Sequence, residues 1–224
     1  MALDPESANF PPRKLPDTGL QPARCFAIID LGMQPGMFKG VPKEPQPEVM
    51  FCFELPKFMN EFEGKKSPTT IFQKYSFYNT DKAKLPKVMQ SWGKLKAAPT
   101  TLNIKPYLGQ SCLLNITHTQ DGKYANISDG GRGINPLMDG MAKLTPINEN
   151  IWFEIPKDFS KFDWTLFFKL PKFAQTTIRK CTDWNAIIAK SPEPTKTMEQ
   201  NGAVNQMEVE HEGVTTSLDD EPVF

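Results

Sequence analysis

The order of its predicted elements constrains the fold of this 224-residue chain more than any other sequence feature. Three segments rich in β-branched and aromatic residues come first, at residues 23–31, 48–55 and 69–79. Apolar residues at helical spacing follow over 82–98, and Pro99 ends that helix. Two more strand patterns, 111–119 and 123–128, flank an Asp-Gly turn. The sequence therefore predicts strand, strand, strand, helix, strand, strand.

This order predicts a particular barrel. A five-stranded barrel with its helix between the third and fourth strands is the OB-fold. We predict a mainly β protein with an OB-fold barrel (β-β-β-α-β-β) over residues 22–133. The sequence predicts three further segments: a flexible lead-in over 1–21, an extension packing on the barrel over 134–190, and a disordered acidic tail over 191–224.

Smaller features are predicted inside these segments. Prolines and glycines crowd residues 34–47, which predicts a long loop. The extension is expected to contain a short strand over 151–155 and a helix over 171–190, whose apolar residues form one stripe.

The charges are strongly segregated. The chain has 26 Lys+Arg and 26 Asp+Glu, so its formal net charge is zero. Residues 191–224 hold eight of the acids and one base, which leaves 25 bases and 18 acids in residues 1–190. A basic body joined to an acidic tail is a pattern found in proteins that bind nucleic acid.

The whole basic excess of residues 1–190 is matched by residues 57–105, which hold ten lysines and three acids and in which aromatic residues are interspersed. Lysines neutralise phosphates, and aromatic faces stack on unpaired bases, so this combination favours single-stranded nucleic acid. Alternation along the third strand assigns Ile71, Tyr75 and Phe77 to the core and Phe72, Lys74 and Tyr78 to the outer face. The predicted DNA-binding residues are Lys65, Lys66, Phe72, Lys74, Tyr78, Lys82, Lys84, Lys87, Lys94, Lys96, Lys105, Tyr124 and Arg132. Structural packing of each aromatic residue remains the alternative, and Trp92 is expected in the core.

The chain lacks the common catalytic motifs. It has no P-loop, no GxSxG elbow and no HExxH, and it has two histidines. Its four cysteines have no CxxC spacing, which indicates buried reduced thiols rather than a zinc site. We therefore predict neither an enzyme nor a cofactor or metal. The sequence shows no secretory signal and no membrane-spanning apolar run, so a cytoplasmic protein is expected.

The tail ends in three acids followed by an apolar pair. Asp219, Asp220, Glu221 and Phe224 form a candidate hook for a partner protein, and the same hook could compete with DNA for the basic groove. A tail that only keeps the protein soluble is the alternative.

Several strings resemble single-stranded DNA-binding proteins of the OB-fold type from tailed-phage replication modules. They are Arg24–Gly32, Phe53–Pro56, Lys74–Phe77, Leu108–Ile116 and Tyr124–Ile127. The resemblance implies a protein that coats single-stranded DNA without sequence preference in the bacterial host cytoplasm. It also implies that the tail recruits a replication polymerase, helicase or primase. Residues 34–47, the 134–190 extension and Val223 between Pro222 and Phe224 depart from the family pattern.

Two other classes of function stay open. One is a non-catalytic interaction or structural barrel that binds a protein instead of nucleic acid. The other is a nuclease or annealing enzyme, for which the sequence offers no recognisable ligand set. The sequence also leaves open a homodimer, the site size and the preference between DNA and RNA.

Overall fold

Two very long antiparallel strands form the centre of the sheet in the computed structural model, which describes residues 14–194 except 63, 81 and 129–132. These strands are β1 (Gly19–Phe38) and β2 (Val41–Phe62). β3 (Lys65–Ser76) pairs with β2, and β4 (Ser111–His118) pairs with β1. β5 (Ala125–Ile127) then pairs with β4, so the strand order is β3-β2-β1-β4-β5.

The sheet is nearly closed into a barrel. β3 and β5, which end the strand order, approach each other in space. The helix α1 (Lys84–Trp92) lies between β3 and β4 in the chain and turns Leu85, Val88 and Met89 into the barrel. The fold is therefore mainly β, with a few helices.

The chain after β5 adds short elements around this barrel. They are β6 (Ile134–Asn135), β7 (Ile151–Phe153), α2 (Trp164–Lys169), α3 (Lys172–Ile178) and α4 (Trp184–Lys190). β6 pairs with β4, and β7 runs parallel to β1. Among the described residues, each helix is too short to cross a membrane.

One apolar core fills the barrel. It combines inward residues of all five barrel strands with the buried face of α1. Phe51 and Phe53 of β2 lie parallel, and Trp92 of α1 contacts both rings at centroid distances of 6.4 and 5.8 Å. The predicted core position of Trp92 is thus confirmed.

A second apolar core lies outside the barrel. Phe26, Ile29, Met50 and Cys52 turn away from the barrel interior and are buried beneath residues 153–187. We call residues 151–191 the outer layer. Its aromatic residues pack edge to face, for example Phe162 on Trp164 with centroids 4.8 Å apart. The middle stretches of β1 and β2 are therefore covered on both faces.

A buried ion pair joins the barrel to the start of the outer layer. The Nη1 atom of Arg24 in β1 lies 2.7 Å from the Oε1 atom of Glu54 in β2, and both side chains are almost inaccessible to solvent. Arg24 also donates to the Asn148 carbonyl and to the Asn150 side chain. Glu54 accepts from the backbone N–H groups of Ile147 and Asn148. The segment leading into β7 is thereby fixed to the barrel wall.

The predicted loop over residues 34–47 is wrong. These residues complete a β-hairpin whose two-residue turn, Lys39-Gly40, has the positive φ angles that a tight hairpin of this kind requires. Pro42 and Pro47 are tolerated because β3 begins to pair with β2 only at Glu48. Before that point β2 has an open edge, where a missing N–H costs nothing.

Helix lengths also differ from the predictions. α1 ends at Trp92, with Gly93 as its C-cap, rather than at Ala98, and Leu95 beyond it is 42 % exposed. The predicted helix over 171–190 is two helices, since residues 179–183 form a turn between α3 and α4. The short strand near 151–155 is confirmed as β7, and the four cysteines are buried as predicted. The predicted acidic tail lies outside the described residues from 195 onwards.

We expect Glu54→Leu to destabilise the fold by about 3–5 kcal/mol, because it leaves the Arg24 guanidinium buried without its carboxylate. Urea unfolding measures this loss. The double variant Arg24→Met/Glu54→Leu removes both charges and should recover part of it. A double variant less stable than Glu54→Leu would show that an unpaired Arg24 charge is not the cause of the destabilisation.

Candidate nucleic-acid interface

The outer side of α1 carries lysines. Leu85, Val88 and Trp92 bury one side of the helix in the barrel, and this leaves Lys87 exposed on the other. Lys84 is half-buried, and Lys82 and Lys96 are exposed just before and after the helix. Five of the predicted DNA-binding lysines therefore gather around α1: Lys82, Lys84, Lys87, Lys94 and Lys96.

Lys94 has an unusual backbone conformation. Its φ is +52°, in the left-handed region that favours glycine, directly after the C-cap residue Gly93. The Lys94 N–H donates to the Ser91 carbonyl at 3.2 Å, which ends the helix. The Lys94 ammonium lies 2.9 Å from Asp139, and both side chains are largely exposed. The sharp turn thus directs a lysine toward residues 136–141.

A cavity of about 560 Å³ opens beside the end of α1. Its wall is mostly apolar or aromatic: Met89, Trp92, Leu95, Pro99, Pro106, Tyr107, Pro136 and Leu137. The charged and polar lining residues are Lys94, Thr101, Asn103, Gln110, Ser111 and Lys143. Two cations therefore border a largely apolar space.

Trp92 and Tyr107 form an aromatic pair in the wall of this cavity. Their ring centroids are 4.7 Å apart. The Tyr107 hydroxyl donates to the Met89 carbonyl at 2.9 Å, and the Trp92 indole N–H donates to the Ser111 carbonyl at 3.3 Å. Burial raises the pKa of Tyr107, so this phenol stays neutral at physiological pH. Both rings are held by bonds within the protein.

Exposed aromatic rings lie where β3 leads toward α1. Phe77 is 36 % and Tyr78 is 40 % exposed. The alternation predicts Phe77 in the core, and this prediction is wrong because β3, and the alternation with it, ends at Ser76. The neighbouring Asn79 side chain donates to the Thr100 carbonyl, next to the cavity residues Pro99 and Thr101. Tyr78 is thereby tied to the same end of the barrel as the cavity.

Other predicted residues lie elsewhere. Lys65 and Lys66 are exposed at the opposite end of β3, roughly 36 Å from Ser76 at about 3.3 Å per residue. The Lys105 ammonium lies over the Trp152 ring, 5.6 Å from its centroid. Tyr124 is half-buried in the turn before β5. Arg132 and the tail residues Asp219, Asp220, Glu221 and Phe224 lie outside the described residues.

Phe72 lies on the outer face of β3 as predicted, but its ring is packed against the outer layer instead of being open for stacking on a base. Its ring packs against Phe173 of α3, with centroids 4.4 Å apart, and borders the second core. Lys74 is also half-buried, and its ammonium lies 3.8 Å from Glu48. The alternation is correct, since Ile71 and Tyr75 face the inner core. What the alternation did not anticipate is that the outer layer covers the other face.

Sequence reasoning missed the cavity and the loop that borders it. The aromatic residues Trp92 and Tyr107 are far apart in the chain, and Lys143 comes from a segment without periodicity. The density of Phe and Trp over 159–173 was a signal for the outer layer. Among the described residues, no three His, Cys, Asp or Glu side chains come together to hold a metal ion.

Comparison of the chain with models of protein families, with curated proteins and with solved structures finds no match.

We expect Phe72→Ala to lower the free energy of unfolding by about 2 kcal/mol, because it removes a half-buried ring from the second core. Urea unfolding monitored by circular dichroism measures the change. Phe77→Ala is the matched control on the same stretch of chain, and it should cost well under about 1 kcal/mol since Phe77 is exposed. Equal costs for the two variants would contradict the burial of Phe72.

Proposed function

We propose that this protein binds single-stranded DNA without sequence preference, through an OB-fold barrel, in a phage replication or recombination module. In the proposal it has no catalytic activity and needs no cofactor. The phage assignment rests on the sequence strings quoted above, such as Arg24–Gly32 and Leu108–Ile116.

Strand order supports the OB-fold. β1 lies between β2 and β4, β3 and β5 approach each other, and α1 connects β3 to β4. A five-stranded Greek-key barrel of this kind commonly binds oligonucleotides. Fold alone does not determine function, which depends on the residues that the barrel exposes.

The observation that carries the proposal is the meeting of lysines with exposed aromatic residues at the α1 end of the barrel. Lys82, Lys87 and Lys96 are exposed there, and so are Phe77 and Tyr78. Phosphates bind lysines with release of counterions, and unpaired bases stack on aromatic rings. Duplex DNA offers its phosphates but no free base face, so the combination favours single strands.

The tail would supply the second half of the function. We propose that the acids Asp219, Asp220 and Glu221, with the apolar Phe224, recruit a polymerase, helicase or primase. The same acids are suited to competing with DNA phosphates for the lysines of the barrel. Support for this part comes from the composition of the tail and from the basic excess in residues 1–190.

We expect a fluorescein-labelled oligo-dT to bind at low salt and to bind more weakly as salt rises. The logarithm of the binding constant should fall linearly with the logarithm of salt concentration, by about 0.7 per phosphate neutralised. Fluorescence anisotropy at several salt concentrations measures this, with a duplex of equal length as control. Absence of binding at low salt would refute the proposed function and favour a barrel that binds a protein.

Deletion of residues 217–224 should tighten binding of oligo-dT several-fold and abolish capture of the replication partner. The removed acids would no longer compete for lysines. A variant with Asp219, Asp220 and Glu221 changed to Asn, Asn and Gln keeps the length and tests charge alone. Unchanged DNA affinity in both variants would remove autoinhibition from the proposal.

A further inference from the structure

The middle of the face that OB-folds commonly use is covered in this protein, whereas Lys57, Met59, Lys65 and Lys66, toward the far end of β2 and β3, are exposed. Oligonucleotides usually lie on the face formed by strands 2 and 3 of such a barrel. Here the outward residues Met50, Cys52 and Phe72 of those strands contact the outer layer, and Met50 and Cys52 are fully buried. The outer layer is a packed core of Phe and Trp rings, in which Phe167 and Leu170 are also inaccessible. A DNA strand therefore has no access to the middle of this face, and a path over another surface is favoured.

We propose that the cavity beside α1 receives an unpaired base of the bound strand, while Lys94 and Lys143 bind the adjoining phosphates. This inference rests on the proposed function. The path of the DNA then crosses the α1 end of the barrel instead of its covered outer face. The stacked ligand is an unpaired nucleobase of any identity.

The cavity has the size and lining that such a base needs. Its volume of about 560 Å³ lies within the range of about 300–1,000 Å³ typical of small-ligand sites. Tyr107 and Leu137 offer flat or apolar contact surface, and the side chains of Asn103 and Gln110 can donate or accept hydrogen bonds. Amides that can do both suit several bases, which agrees with binding that tolerates any sequence.

The two lysines supply the charge at the cavity mouth. Lys94 is directed there by a backbone conformation that a glycine would adopt more easily. In the described structure its ammonium pairs with Asp139, and the pair is exposed, so water and salt weaken it. A DNA phosphate can replace the Asp139 carboxylate on Lys94. Asp139 is then a competitor of the DNA, and its removal should strengthen binding.

Leu95 provides a probe of the cavity that should not disturb folding. It lines the cavity and is 42 % exposed, so Leu95→Glu adds a negative charge at the mouth without burying it. The matched control is Met37→Glu. Met37 is 62 % exposed and lies near the tip of the β1–β2 hairpin, in an element that does not line the cavity. The two variants change net charge equally.

The experiment measures anisotropy of labelled oligo-dT with the full-length protein and these variants. We expect Lys94→Gly/Lys143→Ala to weaken binding about ten-fold and to reduce the salt slope by up to about 1.4, the value for two phosphates. Lys94→Gly keeps the left-handed turn, so folding is preserved. The control Lys157→Ala/Lys161→Ala removes two exposed lysines of the outer layer and should change affinity less than two-fold.

Removing the carboxylate that pairs with Lys94 should change the affinity for oligo-dT in the opposite direction. Asp139→Asn should tighten binding two- to three-fold, while Asp158→Asn, which breaks the exposed pair with Lys161, should leave it unchanged. Leu95→Glu should weaken binding of oligo-dT at least five-fold, and Met37→Glu should not.

The outcomes separate the two proposals. Wild-type protein that fails to bind oligo-dT at low salt overturns the proposed function. Wild-type binding that is unaffected by Lys94→Gly/Lys143→Ala and Leu95→Glu overturns only the cavity path. Loss of binding in Met37→Glu but not in Leu95→Glu would place the DNA on the β1–β2 hairpin, and that result also overturns the cavity path.

Discussion

The buried pair of Arg24 and Glu54 is the interaction on which the rest of the architecture depends. Removing two charges from water is costly, and the cost is offset only when each charge is fully hydrogen-bonded. Here the missing partners come from residues 147–150, which lie nearly a hundred residues further along the chain than Glu54. The two buried charges in the barrel wall therefore have all their hydrogen-bond partners only when residues 147–150 have docked.

That docking has structural consequences on both sides of the sheet. Asn150 contacts Arg24, and β7 begins at the next residue, parallel to Ala27–Ile29 of β1. From β7 the chain continues into the helices that bury the outward residues of β1 and β2. A second anchor lies at Asp30, which accepts hydrogen bonds from the N–H groups of Gly32 and Ile155. Desolvation raises the pKa of this carboxyl group above its usual range.

The sequence was sufficient to predict the order of the barrel elements and the inward residues of β2 and β3. Alternation identifies Val49, Phe51 and Phe53 because successive side chains of a strand point to opposite faces, so these three share the face toward the barrel core. It could not show that Phe72 meets Phe173, since that contact depends on how a distant helix docks. The nearly unbroken apolar run from Cys25 to Ile29 was the available clue, because strands covered on both faces lose their polar positions.

The candidate site was harder to predict than the fold. Lysine density predicts a single basic surface, and five of these lysines do gather around α1, but β3 carries Lys65 and Lys66 to the other end of the barrel. Sequence proximity groups these lysines, whereas an extended strand separates them. The cavity depends on segments around Tyr107 and Lys143, neither of which has a periodic pattern to predict its position.

The β1–β2 hairpin has a consequence for the solubility of the protein. Beyond Glu48 toward its tip, β2 loses β3 as a neighbour, and such an open edge is a template for pairing with strands of other molecules. Pro42, Pro45 and Pro47 lie along this stretch, where each proline removes a donor that an incoming strand would need. Lys39 and Lys43 add charge near the tip. The same prolines that obscure the strand in the sequence protect it from edge-to-edge aggregation.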